Sequence, residues 1–325
     1  MSDEEEMLRG DSEGEEEQNE EHQEDETSKQ DKIEPCPLTQ DMIVQGLSLL
    51  CHTGNGLAHA FAKLDLKDRC LTDIVLLSSF VHLRFLDISS NYLTDLSPLA
   101  ALTQLLWLKG DSNQLQGFRG QPLGQLTYLQ WLSLAVNRLC DTEGLGGPAL
   151  ESLNLIGNGI LRVSGLEYHR LTNLVTLELR GNCLETTDGI YLPNLRHLYL
   201  AQNRIKKLEG LEKLERLTTL HLRDNQLETL DGISSCMNSL QYLNIRGNLV
   251  VSQQALQSLI GVAPTLRVLV IAENPLSEIE DYRLFVLTHL PLLERLDKEA
   301  ISSDERNEAQ ERIKEFQDST EQEDH

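Results

Sequence analysis

Aromatic residues are scarce in this sequence, basic residues are outnumbered and long apolar runs are missing; each shortage narrows what 325 residues can build. Aromatics make up 5 % of the chain although hydrophobic residues make up 40 %, so the interior cannot be a mixed core of rings and aliphatics and must be filled by aliphatic side chains. Lysine and arginine number 28 against 52 acidic residues, a formal charge of -24. A chain of that sign repels a phosphate backbone, so nucleic acid is not expected as a partner. There is no run of 18 or more apolar residues to span a bilayer, and MSDEEEMLRGDSEGEEE has neither the basic start nor the apolar stretch of a secretory signal. The expected setting is therefore the cytoplasm, without a membrane partner. Cys36, Cys51, Cys70, Cys140, Cys183 and Cys236 show no CxxC spacing, and no N-x-[ST] acceptor occurs. Reduced, mostly buried thiols are expected. The motifs GxxxxGK[ST] and HExxH are missing too, so the reading is of a protein that is not an enzyme, with no cofactor and no small-molecule substrate.

What the chain has in excess is leucine: 64 residues, 63 of them between Leu38 and Leu296. They follow the pattern L-x-x-L-x-L-x-x-N nine times, ending at Asn91, Asn113, Asn137, Asn158, Asn182, Asn203, Asn225, Asn248 and Asn274, at intervals of 21 to 26 residues. LRFLDISSN, LESLNLIGN, LRHLYLAQN and LTTLHLRDN are representative. A degenerate tenth copy, FAKLDLKDRCL, carries Arg69 in place of the asparagine. This is the signature of the leucine-rich repeat. It implies an α/β fold, a right-handed solenoid whose short parallel strands form a concave sheet. Leucines at positions 1, 4 and 6 point inward and stack between coils, while the asparagine at position 9 pairs backbone groups that would otherwise be buried unsatisfied. Apolar residues return about two, five and eight positions later, on helical or 3₁₀ turns of the outer side. Gly144, Gly165, Gly189, Gly210 and Gly232 each fall seven residues after an asparagine, which points to a positive φ or a close approach there.

The ends differ from the middle. Sixteen of the first 34 residues are acidic and three basic, so residues 1–38 are expected to be an acidic disordered segment. Residues 39–60 form an N-terminal cap region, with TQDMIVQGLSLLCH read as a helix over 39–52, Thr39 as its N-cap and Gly54 and Gly56 as its stop. Repeats fill 61–274 and a C-terminal cap 275–297. The charged tail, 298–325, can form a helix capped by Ser302 or Ser303, expected to be solvent-exposed or docked on a partner.

Function is expected on the concave face, at positions the core does not use. Position 3 of successive coils carries Phe85, Trp107, Trp131, Ser152, Thr176, His197, Thr219, Tyr242 and Val268; position 5 carries Asp87, Lys109, Ser133, Asn154, Glu178, Tyr199, His221, Asn244 and Val270. Both tryptophans of the chain fall in one row, on adjacent coils. A row of rings flanked by polar groups suits a protein interface; rings packed along their own sheet are the alternative. Arg180, Arg223 and Arg246 at position 7 form a basic stripe, read either as a dock for an acidic partner or for the chain's own acidic tail, or as solvated ion pairs. His197, Tyr199 and His221 lie close together, but Glu178 is two strands from His221, about 9.6 Å, so no metal site is expected.

The repeats, with EGL and DGI at the glycine corner, resemble over residues 61–297 the intracellular subclass typified by a phosphatase regulator. ENPLSEIEDYRLFVLTHLPLLERLD resembles the C-terminal cap of that class, through Asn274, Pro275, Tyr282, Arg283, Leu290, Pro291, Leu293, Leu296 and Asp297. A narrower resemblance covers roughly residues 37–300. PLTQDMIVQGLSLLCHTGNGLAHAF, LTDIVLL, HLRFLDISSNYLTDLSPL, LYLAQN, LTTLHLRDNQ, LQYLNIRGN and LERLDKE are similar to a family of leucine-rich-repeat components of the radial spokes of motile cilia and sperm flagella. The acidic head and the tail after Ile301 depart from it. This resemblance implies a non-enzymatic scaffold of the axoneme that binds other spoke proteins. A phosphatase regulatory subunit using the concave face is the alternative, and an acidic chromatin-binding protein is a third reading that rests on the charged ends alone.

Overall fold

The computed structural model describes residues 33–54, 56–166 and 168–323; most of the expected acidic segment lies outside them. The solenoid is the unit Pro35–His325. It begins before the boundary expected at residue 38, because Cys36 donates its backbone N–H to Thr72 Oγ1 at 2.9 Å, Pro37 bridges to Asp73 and Leu38 is buried.

One sheet of thirteen strands runs through the unit in chain order. A short helix, α1 (Gln40–Gly46), leads into β1 (Leu47–His52) and β2 (His59–Asp65), and one strand follows from each repeat: β3 (Phe85–Asp87), β4 (Trp107–Lys109), β5 (Trp131–Ser133), β6 (Ser152–Asn154), β7 (Thr176–Glu178), β8 (His197–Tyr199), β9 (Thr219–His221), β10 (Tyr242–Asn244) and β11 (Val268–Val270). The sheet closes with β12 (Arg295–Leu296) and β13 (Glu299–Ala300). Pairing is parallel from β2 to β12, as the repeat requires, but antiparallel at both ends, β1 with β2 and β12 with β13. Each end of the stack is thus finished by a hairpin, which shortens the open parallel edge.

The N-terminal hairpin corrects the sequence reading. Thr39 does cap α1, its Oγ1 accepting from the Met42 N–H, but the helix stops at Gly46 and LSLLCH is strand. A Cβ on residue 46 would lie 2.2 Å from the Asp65 carbonyl oxygen, so the close crossing of β2 ends the helix where glycine permits it. The glycines read as a helix stop lie in the hairpin connection, closed by Thr53 N–H donating to the Ala58 carbonyl at 2.8 Å, with Gly56 at φ +70°. The thiols also differ from expectation. Cys70, Cys140 and Cys236 are exposed and the other three half-buried, because leucine holds the core positions and cysteine is left to the variable ones.

Within the stack the inward leucines are fully buried, as at Leu217, Leu220 and Leu222, and short 3₁₀ turns such as Ser97–Ala101 and Leu211–Lys213 form the outer side. The chain leaves each strand from β2 to β11 through a left-handed residue at position 8. Asp68, Ser90, Ser112, Val136, Gly157, Gly181, Gln202, Asp224, Gly247 and Glu273 all have φ between 53° and 67°; only three are glycine, and Val136 is β-branched, so the turn is imposed by the coil against local preference. The corner glycines satisfy both readings of their spacing. Gly189 and Gly232 have φ 86° and 106°, and a Cβ on either would sit 2.1 Å from a carbonyl oxygen of the preceding coil.

The asparagines form an unbroken ladder. Asn225 Nδ2 donates to the Leu200 carbonyl of the preceding coil at 2.9 Å and to the Leu222 carbonyl of its own at 3.0 Å, while its Oδ1 accepts from the Ile205 N–H at 3.0 Å. The other eight repeat the pattern, from Asn91 with Leu66, Ile88 and Leu71 to Asn274 with Ile245, Ile271 and Val250. Arg69 lacks the amide because it stands at the start of the ladder, where its own N–H donates to Asn91 Oδ1 at 3.1 Å.

At the other end, helix α2 (Tyr282–His289) covers the last coil. Tyr282 Oη donates to Asp297 Oδ2 at 2.5 Å, and Asp297 Oδ1 accepts from the Ile271 and Ala272 N–H groups at 2.8 Å each. Burial, with the Asp297 carboxylate beside it, pushes the Tyr282 phenol up. The tail forms α3 (Ser303–Glu323), which docks on its own chain rather than standing free. Ser302 and Glu305 close a capping box: the Ser302 N–H donates to Glu305 Oε2 at 2.8 Å and the Glu305 N–H to Ser302 Oγ at 3.2 Å. Arg283 Nε donates to Glu305 Oε1 at 2.8 Å, and Arg306 reaches the Pro291 and Leu293 carbonyls. The anchors are arginines, with only Ala309 buried among the helix's described side chains, which is why apolar periodicity does not reveal the docking.

Asn225→Ala leaves the Leu200 carbonyl and the Ile205 N–H buried without partners, an expected cost of about 2–5 kcal/mol in urea unfolding, against at most about 0.5 kcal/mol for the exposed Asn238→Ala; equal costs would remove the ladder's role. Hydrogen bonds from Arg283 and the Ser302 N–H hold the Glu305 carboxyl down at about 2, below its ordinary 4.5. Its contribution to docking is therefore complete above the ordinary value and lost as pH falls from 4.5 toward about 2. Far-UV circular dichroism should show acid loss of α3 in that window and a flattened profile in Glu305→Gln; identical profiles would contradict the assignment.

Candidate functional site

The concave sheet presents the two expected rows in register. Phe85, Trp107, Trp131, Ser152, Thr176, His197, Thr219, Tyr242 and Val268 face one another strand by strand, as do Asp87, Lys109, Ser133, Asn154, Glu178, Tyr199, His221, Asn244 and Val270. Because alternate residues of a strand share a face, burying the leucines at positions 4 and 6 forces these two rows outward together. Almost all of these side chains are half-buried; Ser133 and Asn244 are buried.

The rings gather in two stacks. Trp107 and Trp131 lie face to face, centroids 4.7 Å apart and planes at 7°, with Phe85 on the next strand. Neither expected arrangement holds alone: the indoles pack on each other along the sheet and still present surface to the concave side. Three coils further on, Tyr199 and His221 are 5.0 Å apart and His221 and Tyr242 4.8 Å, the latter pair stacked at 21°. His221 stands in the position 5 row and Tyr242 in the position 3 row, so the second stack bridges the two rows. That diagonal contact follows from side-chain lean and is invisible to strand register.

The basic stripe is largely cancelled. Arg223 Nε pairs with Asp224 Oδ2 at 3.1 Å and Arg246 with Glu273 of the next coil, while Arg180 is exposed. Beside the tryptophans, Asp111 Oδ1 accepts from Ser133 Oγ at 2.5 Å and from the Ala135 N–H at 2.9 Å, fixing one coil's carboxylate against the next; a serine at position 5 one coil after an aspartate at position 7 is the only sequence sign of it.

A pocket of about 340 Å³ opens over the second stack, lined by Glu178, Arg180, Tyr199, His221, Arg223 and Asn244 among others. Glu178 and His221 thus share one cavity although two strand spacings separate them. Burial pushes the Glu178 carboxyl up, against the pull of Arg180, and pushes the His221 imidazole below its ordinary 6.5. Burial also raises the Tyr199 phenol, with Glu178 adding to the effect. Among the described residues no group of three His, Cys, Asp or Glu side chains is arranged to hold a metal ion, and no helix is long and apolar enough to cross a membrane. The arrangement offers polypeptide ligands stacked rings, one shielded carboxylate and a paired-charge rim.

Leucine-rich repeat family models match residues 177–323 and 82–102. A solved leucine-rich-repeat protein of Leptospira interrogans is similar in fold, with a TM-score of 0.53 at 23 % identity over 73 % of this chain and 71 % of that one. Leucine-rich repeat-containing protein 23 of Homo sapiens is 53 % identical over 275 residues, 85 % of this chain and 79 % of its own length. Its counterpart in Xenopus tropicalis is also 53 % identical, over 85 % of this chain and 78 % of its own. At that identity and coverage, the chain belongs to the leucine-rich repeat-containing protein 23 family.

Proposed function

We propose that the protein is a non-catalytic docking scaffold of the ciliary and flagellar axoneme, a radial-spoke component that holds other spoke proteins and is needed for spoke assembly and motility. The observation that carries the docking part is the concave face itself, where a rigid sheet displays two ring stacks at positions the core does not need. Rings held by neighbouring strands bring a large contact area at little cost in conformational entropy. The axonemal part is supported by family membership and by the likeness of residues 37–300 to spoke components. The docking residues are Phe85, Trp107 and Trp131 at one end and Arg180, His197, Tyr199, His221, Arg223, Tyr242 and Arg246 at the other.

In fractionated flagella the protein should remain with salt-washed axonemes; recovery entirely in the detergent-soluble matrix would refute the axonemal reading. Trp107→Ala combined with Trp131→Ala should sharply reduce capture of spoke proteins while costing about 1 kcal/mol from the lost ring pair. Leu220→Ala, inside the stack, should cost about 2 to 5 kcal/mol. If the tryptophan pair costs as much as the leucine, the rings belong to the core and the docking face lies elsewhere.

A further inference from the structure

Glu178 projects from the middle of the concave sheet with one carboxylate oxygen, Oε1, shielded from solvent and without a hydrogen-bond partner. An acceptor taken out of water and left unpaired raises the free energy of the protein until a donor reaches it, the more so when it carries charge. The nearby cations do not supply that donor. Arg223 is engaged by Asp224, Arg246 by Glu273, and Arg180 is exposed at the pocket rim.

The surroundings favour one kind of incoming group. Tyr199, His221 and Tyr242 make a continuous ring wall beside the carboxylate, a surface on which a hydrocarbon stem can lie and over which a cation is attracted. His221 stays neutral at neutral pH because burial lowers its pKa, so it adds no repulsion to a cation. An anion drawn to Arg180 and Arg223 would have to sit beside the unpaired Glu178 oxygen, where like charges repel.

We propose that Glu178 is the floor of a subsite for one basic side chain, lysine or arginine, of a docked polypeptide, with the stem lying on the Tyr199, His221 and Tyr242 wall and the cation donating to Oε1. Arg180, exposed at the rim, then favours an acidic residue beside that anchor, so the preferred ligand is a basic residue with acidic neighbours. The proposal rests on the docking of polypeptide by the concave face, and it names the chemistry recognised at one end of that face.

The test uses the full chain and labelled extended peptides identical except at a central residue, arginine in one and citrulline in the other, with aspartates on both sides, titrated by fluorescence anisotropy. Citrulline keeps the shape and loses the charge. The wild-type protein should prefer the arginine peptide by about tenfold, the difference between a charge-assisted and a neutral hydrogen bond. Glu178→Gln, an isosteric change checked by an unaltered thermal unfolding profile, should abolish the preference by weakening the arginine peptide alone. Tyr128→Ala, at an exposed position outside the docking rows, should leave the preference intact. Equal binding of the two peptides, or a preference that survives in Glu178→Gln, overturns the subsite. Failure of the arginine peptide to bind the wild-type chain also overturns it; the docking face as a whole is judged separately, by capture of spoke proteins with the tryptophan variants.

Discussion

The asparagine amide at the end of each strand is the constraint on which the rest depends. It joins carbonyls of two consecutive coils and a backbone N–H of the earlier one, so no coil is complete without its neighbour. Parallel strands of three residues bury too little and bond too weakly to persist alone; the amide fixes their register by satisfying groups that hydrophobic contact cannot. Spacing between asparagines can vary because the added residues fall on the outer side, where 3₁₀ turns of different length absorb them. The left-handed residue before each asparagine follows from the same demand: the chain must turn sharply for the amide to enter beneath the strand ends, and even Val136 accepts that conformation.

Once leucine and asparagine have fixed the coil, positions 3, 5 and 7 carry almost no structural duty. The concave rows can therefore vary without endangering the fold, and they collect nearly all the chemistry the molecule displays. The two ring stacks illustrate this. Each is assembled from side chains of adjacent strands spaced by the sheet, so an extended rigid surface arises from residues that are individually small parts of their own coils. Ion pairs such as Arg223 with Asp224 and Arg246 with Glu273 trim the surface charge, leaving the shielded oxygen of Glu178 as a polar atom there that still lacks a partner.

The repeat and the rows were legible in the sequence because both follow from strict spacing: leucine at fixed steps names the buried face, and alternation assigns Trp107, Trp131, Tyr199 and His221 to the opposite one. What spacing does not encode was misread. LSLLCH is a short apolar run whose period fits a helix or a strand, and the decision was made by β2 crossing at Gly46, a contact between distant residues. The docking of α3 through Arg283 and Arg306 left no apolar stripe to find. The pocket that unites Glu178 with His221, and the bridge from His221 to Tyr242, depend on how side chains lean across strands, which sequence position alone does not give.

The shared amides also set how the molecule bears load. A pull along the stack passes from coil to coil in series, through two hydrogen bonds of one asparagine, the backbone bonds of the paired strands and one layer of leucines at each step. Extension under tension is then the sum of small, nearly equal displacements, and failure begins at whichever interface is poorest. Gly110 occupies the position that leucine or isoleucine fills in the other repeats, and the Leu134 side chain closes over it. That layer lies beside the tryptophan pair, so the stacked indoles span the same two coils whose inner face replaces a branched side chain with glycine.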